Sequence, residues 1–184
     1  MKRAIREYGD PVLREVSVPV AEVDAELRAL AEEMVEAMRA NTGVGLAAQQ
    51  IGETRSICVV EVPEEYDLDD EGNRLNPDLP GMPWVLLNPR ILSSSAKTDS
   101  HEEGCLSFPG IRGSIVRPVD IRLAYMDLEG RSHELDLRGF VARVVQHEVD
   151  HLNGVLFIDR MSAAKKFTLR NRLRKMKEET EAMR

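Results

Sequence analysis

Cysteine, aromatic rings and long apolar runs are all scarce in this chain of 184 residues. Its two cysteines, Cys58 and Cys105, are too few for a disulfide framework. Aromatics make up 4%, which excludes a stacking surface for single-stranded nucleic acid. Basic residues do not prevail either: 25 Lys and Arg face 32 Asp and Glu, a net charge of −7. That balance argues against a domain built to grip polyanions, so sequence-specific nucleic-acid binding is not expected. No apolar run is long enough to cross a bilayer, so no membrane partner is expected. The opening MKRAIREYGD has basic residues but no apolar core after them, so it does not read as a secretory signal. The expected compartment is the reducing cytoplasm, where a cysteine is buried, catalytic or a metal ligand.

What is present is ordinary globular material, 42% apolar and 31% charged, in a length that suits one domain, or one domain with an appendage. Leu27, Leu30, Ala31, Met34, Val35 and Met38 recur at helical spacing over residues 24–40, with Asp24 placed to cap the first turn. Asp10-Pro11 suits a capped single turn through Leu13 and Arg14. Strands are expected at 56–62 (SICVVEV), at 84–87 (WVLL, ending before Asn88-Pro89), and at 121–127 and 132–137, which flank the turn LEGR. A second helix is expected over 140–152, ended by Asn153-Gly154. Val141, Val144, Val145, Val149 and Leu152 surround it with apolar side chains, which marks it as central and buried. Strands and helices do not alternate regularly. The expected class is therefore α+β, with antiparallel or mixed sheets packed around the 140–152 helix, an amphipathic N-terminal helix and a C-terminal helix.

Two segments differ in composition. Residues 64–83 (EEYDLDDEGNRLNPDLPGMP) carry seven acids against one arginine, with three prolines and two glycines, and read as an exposed acidic loop inserted between two strands. Asp67, Asp69, Glu71 and Asp78 half-resemble a calcium loop. The closing position lacks the bidentate Glu and neither flank reads as a helix, so calcium is not expected. Residues 162–184 hold eight Lys and Arg and three Glu, a charge of +5 against −12 for residues 1–161. Leu169, Leu173 and Met176 make one helical stripe there, and Lys166, Arg170, Arg174 and Lys177 another. This is expected to be a basic helix appended to a catalytic domain of residues 1–161, its charged side either a solvated face or a contact for RNA or an acidic surface.

Three stretches carry chemistry. His147-Glu148-Val149-Asp150-His151 is an H-E-x-x-H sequence on the expected buried helix. Residues i and i+4 lie about 400° apart around a helix, so both imidazoles leave one face and can bind one cation, with Glu148 beside it to take a proton from water. A third ligand is required. His101 follows a polar stretch and lacks a special context, His133 lies on the expected hairpin and is expected to be exposed, and Cys58 sits within an apolar strand. Cys105, in Glu103-Gly104-Cys105-Leu106-Ser107, is the best candidate, since thiolate and imidazole both suit iron or zinc. The third stretch, GVGLAAQQ at 43–50, leaves backbone groups approachable, and a Gln there can donate to a developing oxyanion.

Together GVGLAAQQ, EGCLS at 103–107 and QHEVDHLNG at 146–154 resemble peptide deformylase, whose signatures G-x-G-L-A-A-x-Q, E-G-C-L-S and Q-H-E-x-D-H-L-x-G occur in that order. The resemblance covers most of the chain, from Asp10 to about Arg160. It implies removal of the N-formyl group from formyl-methionyl nascent peptides with release of formate. It implies that Cys105, His147 and His151 hold one divalent metal ion, Fe(2+) natively, with Zn(2+), Ni(2+) or Co(2+) able to replace it. It implies that Glu148 is general base and acid for water activated by the metal, that Gln50 and the Leu106 N–H hold the oxyanion, and that Gly45 bonds the substrate backbone. Val44 and Arg112 fall where that family lines its methionine pocket and its mouth. In some bacterial members a C-terminal helix docks on the ribosome, and the basic face of 162–184 suits that contact. Two other readings compete: an H-E-x-x-H zinc peptidase, which usually takes a downstream Glu or His as third ligand, and a non-enzymatic ribosome-associated module with a structural metal.

Overall fold

Asp24 opens the first helix, α1 (Ala25–Ala40), with its side chain accepting from the Leu27 amide at 2.7 Å, and Asn41 closes it. The computed structural model describes residues 3–183. After α1 come β1 (Gly45–Ala47), β2 (Ile57–Val60), β3 (Trp84–Ser94), β4 (Thr98–Gly104), β5 (Arg112–Pro118), β6 (Asp120–Met126), β7 (Ser132–Arg138), α2 (Gly139–Leu152) and α3 (Ala163–Ala182). The fold of the described residues is α+β, with three α-helices and antiparallel sheets. Five strands form one sheet in the order β1-β2-β3-β6-β7, while β4 and β5 pair as a separate two-stranded sheet.

The core follows from the two-residue period of β2, which is apolar on both faces. Ile57 and Val59 face α1, where Leu27, Leu30, Met34 and Met38 cover them together with Leu46 and Leu87. Cys58 and Val60 face α2 and join Leu86, Leu123, Leu137, Val141, Val145 and Val149. The five-stranded sheet is thus sandwiched between helices, and α2 is buried along nearly its whole length. A third cluster, of Leu13, Phe108, Ile111, Ile115, Phe157 and Leu169, lies under β5 and α3. The Leu169–Leu173–Met176 stripe turns toward it.

Besides the short strand β1, which the sequence reading did not expect, the structure departs from that reading in three places. The strand expected at 84–87 runs on to Ser94. Asn88 adopts φ +49°, pairing shifts register between Leu87 and Arg90, and the ladder resumes at Arg90–Ala124, so a bulge carries the strand past Pro89. The Asn88 side chain is spent on Val20, accepting from its amide and donating to its carbonyl, both at 2.8 Å. The β4–β5 hairpin went unforeseen because its inward positions alternate only weakly: Gly113 and Ile115 are followed by a buried arginine, Arg117. The acidic stretch 64–83 is not simply an exposed loop. It carries a single 3-10 turn at Glu64–Tyr66 and a bridge from Leu68 to Arg74, with Asp67 and Asn76 buried. Asp67 bonds Asn76, and Asp69 accepts from the amides of Glu71 and Asn73.

Asn88→Ala is expected to destabilise the fold by about 2 kcal/mol in urea unfolding, from two lost hydrogen bonds and a left-handed φ forced on alanine. Asn88→Gly is expected to cost less, because glycine accepts that φ freely.

Candidate active site

The loop after β4 and the helix α2 come from different layers, yet their polar side chains meet. The ligand atoms of Cys105, His147 and His151 all lie within 4.8 Å of one another. Cys105 Sγ is 3.3 Å from His151 Nε2, and the two imidazole centroids are 5.0 Å apart. Cys105 and His147 line a cavity of about 370 Å³ together with Val44, Gly45, Gln50, Leu106, Arg112 and Glu148, and His151 lies buried behind them. The three sequence stretches that carry chemistry therefore share one cleft. The other candidate ligands lie elsewhere: His101 is exposed and pairs with Asp99, His133 pairs with Asp127, and Cys58 is buried in β2.

Gln50 is buried at the end of a 3-10 turn, its Oε1 fixed by the Ala47 amide at 2.9 Å. That leaves Nε2 to donate toward Cys105 Sγ at 3.4 Å and Ser107 Oγ at 3.2 Å. Gly45 is required by its neighbour: a Cβ there would collide with the Glu148 carboxyl, meeting Cδ at 2.9 Å. Arg112 stands at the cavity mouth, paired with Glu102 at 2.7 Å.

Behind the trio lies a buried ionic network that the sequence reading missed. Glu103, 8% exposed, accepts from Arg117 at 2.6 and 2.9 Å, from Arg143 at 2.7 Å, and meets His147 Nδ1 at 3.0 Å. Arg143 also bonds Asp99 and the Ile115 carbonyl. Asp150 is paired by Arg117 at 2.8 Å and by Arg160 at 2.6 Å. With Nδ1 engaged by Glu103, His147 has Nε2 left to offer the cluster with Cys105 and His151. Glu103 is the first letter of the EGCLS motif, two residues before Cys105, and that membership was the one available signal. Arg117 and Arg143 gave none, since a buried arginine looks like a surface one in a string of letters.

Charge distribution follows from this packing. Burial pushes the Glu148 carboxyl up to about 7, against the pull of His147 and Arg117. Burial works against charge on His147, but its hydrogen bonds to Cys105 and Glu103 raise it to about 10. Burial, then the charges of His147 and Arg117, hold His151 well below the usual imidazole range. Burial opposes ionisation of Glu103, yet hydrogen bonds from His147 and Arg117 keep it well below the usual carboxylate range. Two buried atoms, Glu148 Oε2 and His151 Nδ1, have no hydrogen-bond partner among the described residues. A thiol, two imidazoles and an unsatisfied carboxylate oxygen converging in one cleft suit a divalent cation with a working base beside it.

A model of the family described as polypeptide deformylase matches residues 2–167. A peptide deformylase of Brachyspira hyodysenteriae is 40% identical over 180 residues, 98% of this chain and 91% of that protein. The chain belongs to the peptide deformylase family. A second peptide deformylase, from Opitutus terrae, is 47% identical over 165 residues, 88% of this chain and 85% of its own. Among solved structures, peptide deformylase from Ehrlichia chaffeensis superposes with a TM-score of 0.84 at 37% identity, covering 99% of both chains. Peptide deformylase from Thermotoga maritima gives a TM-score of 0.76 at 41% identity, covering 88% of this chain and 99% of that one. Peptide deformylases are hydrolases, so the chain is an enzyme.

Removing one member of a buried ion network strands the others. Glu103→Ala is expected to lower stability by about 3 to 5 kcal/mol in denaturant titration, against near-neutral loss for Glu102→Ala at the exposed neighbour.

Proposed function

We propose that this protein removes the N-formyl group from the N-terminal formyl-methionine of nascent polypeptides, releasing formate, with one divalent metal ion held by Cys105, His147 and His151. The observation that carries this reading is the convergence of that sulfur with two imidazoles beside the unpartnered Glu148 oxygen. When bound, such a cation supplies Lewis acidity, making water a nucleophile near neutral pH and polarising a carbonyl oxygen. The soft thiolate and borderline imidazoles suit Fe(2+) as the ion used in the cell, and accommodate Zn(2+), Ni(2+) or Co(2+).

The chain's own groups then divide the work. Glu148 takes the proton of the attacking water and passes it to the leaving amine, expelling formate. Gln50 Nε2, aimed by the Ala47 amide on its oxygen, donates with the Leu106 N–H to the oxygen where charge grows in the tetrahedral intermediate. Gly45 lies in an edge strand of the five-stranded sheet, so its backbone can pair with an extended peptide. Val44, Phe140 and Val144 give the cavity an apolar wall for the unbranched methionine side chain, and Arg112 meets the peptide at the mouth. We assign the work to the cytoplasm. No helix among the described residues is long and apolar enough to cross a membrane. The basic side of α3 is proposed as a ribosome contact, residues 162–184 acting as an appendage to a catalytic domain of residues 1–161.

Protein prepared without oxygen is expected to release formate from a formyl-Met peptide and to leave the acetylated peptide intact. Cleavage of the peptide chain instead, or no formate, would refute the assignment. Glu148→Ala is expected to keep its metal while turnover falls by about 100-fold or more. Cys105→Ser is expected to lose metal on gel filtration, read by elemental analysis. Gly45→Ala should displace the Glu148 carboxyl and cut kcat by about 100-fold with metal content unchanged.

A further inference from the structure

We infer that the 64–83 insertion is a specificity element: Tyr66 and Asn76 fix the start of α2, and through Phe140 they set the apolar wall that selects the first side chain of the substrate. The inference rests on the deformylase reading above. Helix α2 has an unusual beginning. Its cap residue, Arg138, makes no side-chain capping bond, and Gly139 follows at φ +61°. The junction between β7 and α2 is held from outside instead. Asn76, 3% exposed, accepts from the Arg138 amide at 2.8 Å and donates to the Arg138 carbonyl at 3.1 Å. Its amide nitrogen also meets the buried Asp67 carboxylate, which orients it. Leu75 closes over Gly139, where an added Cβ would lie 3.1 Å from Leu75 Cδ1.

The next residue carries this contact into the cleft. Phe140 lines the cavity, in company with Val44, Val144 and the metal-binding trio's His147. The Tyr66 ring lies against Phe140, centroids 5.3 Å apart, and Tyr66 itself does not line the cavity. Tyr66 therefore acts through Phe140 and is a positioning residue. The insertion can hold that ring steadily because it is folded on its own bonds: Asp69 to the amides of Glu71 and Asn73, Arg74 to Glu64, and the Leu75 amide to the Asp67 carbonyl. A pocket discriminates between side chains differing by little more than a branch point only while its wall stays put, and the available margin is about 10- to 200-fold. Loosening Phe140 spends that margin without touching the reacting atoms.

The test compares kcat/KM for formyl-Met and formyl-Leu peptides of otherwise identical sequence. The ratio of the two cancels the concentration of active enzyme, so partial loss of fold does not move it. Tyr66→Ala is expected to shrink the Met-to-Leu ratio by about fivefold, and Tyr66→Phe to restore it. In Asn76→Ala, amide hydrogen exchange at residues 139–144 is expected to quicken relative to the rest of α2. A wild-type enzyme that releases formate, with a Tyr66→Ala ratio unchanged, overturns the inference and leaves the deformylase reading standing. Unchanged exchange in Asn76→Ala overturns the clamp. No formate from the wild type removes the reading, and this inference with it.

Discussion

Glu103 joins two parts of the molecule that no backbone ladder joins. Cys105 follows a strand of the two-stranded sheet, while His147, Glu148 and His151 ride on the helix that covers the five-stranded one. The connection between them is ionic: one buried carboxylate takes up Arg117 from β5, Arg143 from α2 and the far nitrogen of His147. Buried charges are costly unless each is paired, and here Asp99, Glu103 and Asp150 alternate with Arg117, Arg143 and Arg160 until none of the inner ones is left alone. The network gives geometric definition where hydrophobic packing, which is nondirectional, could not.

That requirement explains the arrangement of the surrounding core. The apolar clusters on either face of β2 hold α2 in place along its length, but they leave its rotation and its start to be fixed by polar contacts. Asp150 and Arg143 fix rotation from the hairpin side. Asn76 fixes the start from the other side. Glycines appear where side chains must yield: Gly45 gives its space to Glu148.

The sequence made residue identity and local period legible, and with them most elements of the fold. Asp24 before a leucine spacing marked α1, and the apolar valines around α2 marked a helix with no side left for solvent. H-E-x-x-H announced two imidazoles on one face because helical geometry is local. The β4–β5 hairpin was hidden because its inward residues are Gly113, Ile115 and Arg117, a pattern in which burial is achieved by charge pairing and leaves no hydrophobic alternation. For the same reason the network around Glu103 escaped notice: pairing partners 14 to 44 residues away leave no periodic trace. The β3 strand was cut short at Asn88-Pro89 since a turn and a bulge use the same residues.

The separation of the two sheets carries a consequence of its own. A cation held between the loop after β4 and the helix α2 would be a cross-link, closing a loop between residue 105 and residue 147 that the chain otherwise closes through side chains. Loss of the ion and local opening of the hairpin then become coupled events. The stretch around 98–118 should be the first cooperative unit to breathe in the ion-free protein, and its protection against proteases a direct gauge of occupancy.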